Sequence, residues 1–87
     1  MSSEDEDMAA VVEAALFAAG RPLSIAEIAE LTDLAIRTVR TLAEKLVQDY
    51  SEKGGGIEIK EFEDRYVMQV RSSVADRVSK VGPKALD

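Results

Sequence analysis

Residues 20–27 read Gly20-Arg21-Pro22-Leu23-Ser24-Ile25-Ala26-Glu27, and they place a helix stop, a proline and a helix start within a few positions. Ser24 followed by Glu27 has the Ser-x-x-Glu form of a capping box, in which the hydroxyl and the carboxylate each accept a backbone N–H that the first helical turn leaves without a partner. The segment therefore predicts one helix ending at Gly20 and another starting after Ser24.

Upstream, the spacing predicts a helix over about Met8 to Ala19. Val12, Leu16 and Ala19 share one side with Ala15, while Val11 and Ala14 widen the apolar arc and Glu13 is the one charge. So apolar a helix, rich in small alanines, suits close packing on more than one side, within a three-helix core or against a second subunit. Before it, residues 1–7 contain Glu4, Asp5, Glu6 and Asp7, whose mutual repulsion predicts a disordered acidic tail, with Asp7 placed to cap the helix.

Downstream, the second helix is expected over about Ile25 to Thr32, with Ile25, Ile28 and Leu31 inward and Glu27 and Glu30 outward. A third, over about Ala35 to Tyr50, repeats Val39, Leu42, Ala43, Leu46 and Tyr50 at helical spacing. Ala35 offers its start no capping side chain, a role left to Asp33 or to a less sharp start. Gly54, Gly55 and Gly56 end the helical region, and the period then changes to two. Ile57 and Ile59 alternate with Glu58 and Lys60, then Tyr66, Met68 and Val70 with Val67, Gln69 and Arg71, which reads as two strands joined by Glu63, Asp64 and Arg65. Phe62 falls out of phase, so it either follows a bulge or points to the outer face. A last helix, about Ser73 to Val81, carries Val74, Val78 and Val81 on one stripe and stops before Gly82-Pro83. Three helices, a two-stranded wing and a C-terminal helix make an α+β winged helix-turn-helix over residues 8–81, with 82–87 a linker.

The chain has 87 residues, enough for one small domain whose core barely outweighs the entropic cost of ordering the chain, so burial against a partner is a natural supplement. It lacks cysteine and histidine, which excludes disulfides, the usual zinc sites and the commonest general base. No apolar run approaches the roughly 18 residues that cross a bilayer, and the acidic start is unlike a secretory signal; a cytoplasmic protein is expected. Net charge is −6, and the four acidic residues 4–7 leave −2 for the rest. That balance gives no broad basic face of the kind that displaces counterions from a polyanion.

Candidate chemistry is sparse. The glycine run is followed by a strand and not by Lys-Ser or Lys-Thr opening a helix, so it is no phosphate loop. Glu61, Glu63 and Asp64 sit at a polar hairpin tip, where no dry pocket separates their pKa values. The acidic tail lacks the glycine and distal glutamate of a calcium loop. No enzyme, cofactor, metal or small-molecule substrate is expected. Arg37, Arg40 and Lys45 on the third helix are the candidates for nucleic-acid contact, but Glu44, Asp49, Glu63 and Asp64 dilute them, and a solvated helix face is the simpler reading.

Val12-Glu13-Ala14-Ala15-Leu16-Phe17-Ala18-Ala19-Gly20-Arg21-Pro22-Leu23-Ser24, then Gly54-Gly55-Gly56-Ile57-Glu58-Ile59 and Tyr66-Val67-Met68-Gln69-Val70, resemble the amino-terminal part of the segregation and condensation protein B family. The resemblance covers about residues 10 to 81. It implies a non-catalytic, nucleoid-associated subunit of an SMC condensin-like complex, built as two successive winged helices, which dimerises, binds the ScpA-like kleisin and through it SMC, and serves chromosome condensation and partition. Val81-Gly82-Pro83-Lys84-Ala85-Leu86-Asp87 is similar to the start of that family's second winged helix, so the chain is read as the first half.

The function expected is thus an interaction module whose exposed apolar residues, with Phe17, Ile36 and Phe62 as candidates, form a homodimer contact, direct DNA binding being weak or absent. The alternative is a winged-helix transcriptional regulator that uses Arg37, Arg40 and the wing on duplex DNA.

Overall fold

The computed structural model describes the backbone of residues 3–78 and side chains from Asp7 onward. In chain order the elements are α1 (Ser3–Ala19), β1 (Leu23–Ser24), α2 (Ile25–Thr32), α3 (Ile36–Lys53), β2 (Ile57–Phe62), β3 (Arg65–Val70) and α4 (Ser72–Val78). Three helices pack on one face of a three-stranded antiparallel sheet of order β1-β3-β2. This is an α+β winged helix.

α1 begins at Ser3 and not near Met8, so residues 3–7, expected as a tail with Asp7 as a cap, have helical backbone. Acidic residues in the first turns of a helix meet the positive end of its dipole, which favours this extension. The helix stops where expected: Gly20 adopts φ 63 and its N–H donates to the Leu16 carbonyl at 3.4 Å, a conformation a glycine reaches without a Cβ penalty.

The capping box forms as the sequence implies. Ser24 Oγ accepts from the Glu27 N–H at 3.1 Å, and Glu27 Oε1 accepts from the Ser24 N–H at 2.8 Å. Along α2, Ile25 and Ile28 are buried while Leu31 is 64% exposed. Leu31 was expected inward, but at about 100° per residue it falls well round from the arc holding Ile25, Ile28, Ala29 and Thr32. Asp33 closes α2 in the left-handed region at φ 60, and Ala35 opens α3 with no side-chain cap. Asp33 therefore ends one helix and does not start the next.

The two residues of β1 were not anticipated as a strand. Leu23 pairs with Tyr66 and Ser24 with Arg65, so the segment that breaks the helices also adds an edge to the wing. β2 and β3 pair without interruption from Ile57 opposite Val70 to Phe62 opposite Arg65. No bulge intervenes, and strict alternation puts Phe62 on the outer face with Glu58 and Lys60. The turn is only Glu63 and Asp64, at φ 51 and 64, as a tight two-residue hairpin demands; Arg65 belongs to β3.

The core gathers Val12 and Leu16 of α1, Leu23, Ile25 and Ile28, then Val39, Leu42, Ala43 and Leu46 of α3, closed below by Ile59 and Tyr66. α3 runs to Lys53, three residues beyond the expected end. α4 starts at Ser72 and its described part buries nothing; Val81, the last member of its expected stripe, lies outside the described residues, as do residues 82–87.

Candidate protein-interaction site

Val12 and Leu16 point into the core, which obliges the opposite side of α1 to face outward. That side carries Ala10, Val11, Ala14, Phe17 and Ala18, all exposed, with Phe17 reaching 76%. Ala10, Glu13, Ala14 and Phe17 border a shallow depression of about 260 Å³ completed by Tyr50 of α3 and Met68 of β3. Its floor is apolar. Such a volume falls below the usual range for small-molecule pockets and suits a single inserted side chain.

The one carboxylate in this region, that of Glu13, is hydrogen-bonded by Tyr50. Its hydroxyl donates to the Glu13 carboxylate, and that hydrogen bond, seconded by burial, raises the tyrosine pKa above its ordinary value. The Lys53 ammonium sits 4.3 Å from the centre of the Tyr50 ring, a cation–π contact. The Tyr50 carbonyl accepts from the Gly54 N–H at 3.3 Å and from Arg71 at 3.0 Å. Arg71 also donates to the Gly55 carbonyl at 2.6 Å and, at 3.4 Å, to that of Ile57. One guanidinium thus fastens the end of α3 and the glycine turn to the end of the wing, a task its planar fork of donors suits. Sequence reasoning missed Arg71, since nothing in its neighbourhood marks it out from other surface arginines.

Phe17, Ile36 and Phe62 are all exposed, Ile36 by 52% and Phe62 by 58%, but they do not form one patch. Phe17 borders the depression with Tyr50 near the end of α3, whereas Ile36 begins that helix, roughly 21 Å away along its axis at 1.5 Å per residue. Phe62 stands on the outer face beside the hairpin turn.

Arg37, Arg40 and Lys45 are exposed on α3. Lys45 donates to Asp49 at 2.9 Å, a hydrogen bond and charge pairing that raise its pKa. Between α3 and the wing, the charges that act on buried Tyr66 are Glu61, Glu44 and Asp64 against Arg40 alone. Burial first, then that acidic surplus, raises the Tyr66 pKa. Arg65, the basic group at the wing turn, is directed to Glu27, 3.8 Å away. The face that a DNA-reading winged helix would present is electrostatically mixed.

No group of three or more acidic side chains able to hold a metal occurs among the described residues. Nor is any described helix long and apolar enough to cross a membrane.

Comparison with known proteins sets this geometry in a family. The model of the segregation and condensation complex subunit ScpB matches residues 10–86. The chain belongs to the ScpB family. Segregation and condensation protein B of Caldanaerobacter subterraneus is 38% identical over 69 residues, 79% of this chain and 41% of the relative. That of Clostridioides difficile is 28% identical over 78 residues, 87% of this chain and 44% of the relative. The chain thus spans less than half the length of these relatives. Among solved structures, a dimer of the ScpB N-terminal domain complexed with a ScpA peptide superposes with a TM-score of 0.75 at 28% identity, over 87% of this chain and 95% of that one. ScpB from Mycobacterium tuberculosis shares the fold, with a TM-score of 0.81 at 18% identity over 95% of this chain and 52% of that one.

Proposed function

We propose that this chain is the amino-terminal winged-helix module of a ScpB subunit, and that it acts by binding polypeptides within an SMC–kleisin complex for chromosome condensation and segregation. The observation that carries the reading is the apolar outer face of α1 with Phe17 beside a one-side-chain depression, on a fold that matches nearly the whole of a ScpB N-terminal domain. The module dimerises and holds a ScpA-type kleisin, as that relative does, and through it reaches SMC. It works at the nucleoid in the cytoplasm and catalyses nothing.

The acidic surplus around Tyr66 and the internal pairing of Lys45 support protein rather than DNA as the partner. Calorimetric titration with peptides from the ScpA-type protein of the same organism tests this. Saturable binding at physiological salt is expected. Failure of every ScpA segment to bind, with tight and steeply salt-dependent binding of duplex DNA, would replace this reading with that of a regulator.

A further inference from the structure

The sheet ends at β2. That strand pairs with β3 on one side, and no described strand lies on its other side. The Arg71 N–H donates to the Gly56 carbonyl at 2.7 Å, which makes Gly56 and Arg71 a bonded pair, and in an antiparallel ladder such pairs alternate with unbonded ones. Glu58, Lys60 and Phe62 therefore turn their main-chain groups to β3, while Ile57, Ile59 and Glu61 turn theirs to the open edge. Arg71 reaches the Ile57 carbonyl at 3.4 Å and closes that end. What stays open is the N–H and C=O of Ile59 and of Glu61, roughly 7 Å apart along the strand. Beside them lies a groove of about 320 Å³, lined by Val47 and Ser51 of α3, by β2 and by Arg71.

We propose that the open edge of β2 takes an extended segment of the ScpA-type partner as a fourth strand, one with an apolar and a basic residue two positions apart. The inference rests on the polypeptide-binding reading above and assigns the segment a surface, a conformation and a sequence pattern. The conformation follows from the edge: a donor and an acceptor repeated at every second residue are matched by another extended main chain. The pattern follows from the side chains. Residues two apart on an added strand share a face, so when one lies beside Ile59, in the groove over Val47, the next on that face lies beside Glu61. There Glu61, Glu44 and Asp64 act against Arg40 alone, an acidic surplus that a Lys or Arg of the partner offsets. The same surplus, in a chain that carries −6 overall, favours a basic segment over a second copy. Glu58, Lys60 and Glu61 keep the unpaired edge charged and so guard it against indiscriminate strand pairing.

Hydrogen exchange of the full chain resolves the edge amide by amide. In the chain alone the Ile59 and Glu61 amides should exchange quickly while those of Glu58 and Lys60 are protected. Saturation with a binding peptide from the ScpA-type protein should slow the Ile59 and Glu61 amides at least 10-fold. Glu61→Pro removes an N–H that faces outward, the kind of position at which an edge strand tolerates proline. This variant should stay folded by circular dichroism and bind the peptide at least 10-fold more weakly. A peptide that saturates the chain and leaves both amides fast, or that binds folded Glu61→Pro as tightly as the parent, overturns the assigned edge and leaves the polypeptide-binding reading standing. If Glu61→Pro does not fold, the exchange result decides alone. Slowing of the two amides as the concentration of the chain itself rises would give the edge to a second copy and likewise overturn the proposal. If no ScpA-derived peptide binds, that reading and this inference fall together.

Discussion

The Tyr50 hydroxyl donates to the Glu13 carboxylate and so ties the C-terminal part of α3 to the middle of α1. Two helices separated in the chain by β1 and α2 are joined at the border of the proposed interaction face. The same bond gives the only charged side chain in residues 8–19 a partner on α3. Replacing Tyr50 by Phe should cost about 1 kcal/mol of stability, the usual net worth of such a bond, read as a lower denaturant midpoint with an unchanged slope.

The bond gives stability a dependence on alkaline pH. Tyr50 and Tyr66 both titrate above their ordinary value, Tyr50 chiefly through Glu13 and Tyr66 chiefly through burial. A folded-state pKa raised above the unfolded value of about 10 contributes stability that is fully present below that value and lost as pH rises through the folded one. Tyrosinate absorbance of the native chain should therefore develop later than that of the urea-unfolded chain, and Tyr50→Phe should flatten part of the alkaline loss.

At the acid end the sign reverses. Glu27 is held below the usual carboxylate range mainly by the Ser24 backbone N–H, and Glu58 mainly by the Gln69 amide. Stability from these groups is present above about pH 4.3 and lost as pH falls through their depressed folded values. Ser24→Ala, which removes half of the capping box, should cost about 1 kcal/mol at neutral pH, or roughly 4–8 °C in Tm for a domain of this size. Glu27→Gln should make the acid limb shallower.

The capping box was legible because its partners are three residues apart and their types are diagnostic. The core positions of α3 were legible for the same kind of reason, a period repeated several times. β1 was not, since two residues cannot display a period and their pairing with Tyr66 and Arg65 is settled by tertiary contact. Leu31 misled because apolar type alone does not fix its angle on so short a helix. The acidic start misled in another way: the composition rule for solvated tails gave no weight to the helix dipole. Of the interaction site, Phe17 could be named from sequence, but its depression needs Tyr50 and Met68, which the fold brings in from far along the chain.

Arg71 shows the cost of that blindness. Its hydrogen bonds to the Tyr50 and Gly55 carbonyls make it a clasp between α3 and the wing. Arg71→Ala should destabilise the domain by about 1–2 kcal/mol. Arg71→Lys should recover little, because an ammonium cannot reproduce the fork. Chemical denaturation of both variants checks this, and a fully restored Arg71→Lys would show that charge alone matters.

The hairpin turn is a place where stability can be gained. Glu63 and Asp64 both sit at positive φ, where non-glycine residues are strained and Asn-Gly is preferred. Replacing the pair by Asn-Gly should raise stability by about 0.5–1 kcal/mol, read as a higher denaturant midpoint.

Sedimentation velocity of the chain with a labelled DNA duplex at physiological salt tests most directly whether this winged helix is built to hold polypeptide. The account predicts that the chain sediments as a dimer while the duplex runs at its free rate. A monomeric chain that carries the duplex with it would contradict it.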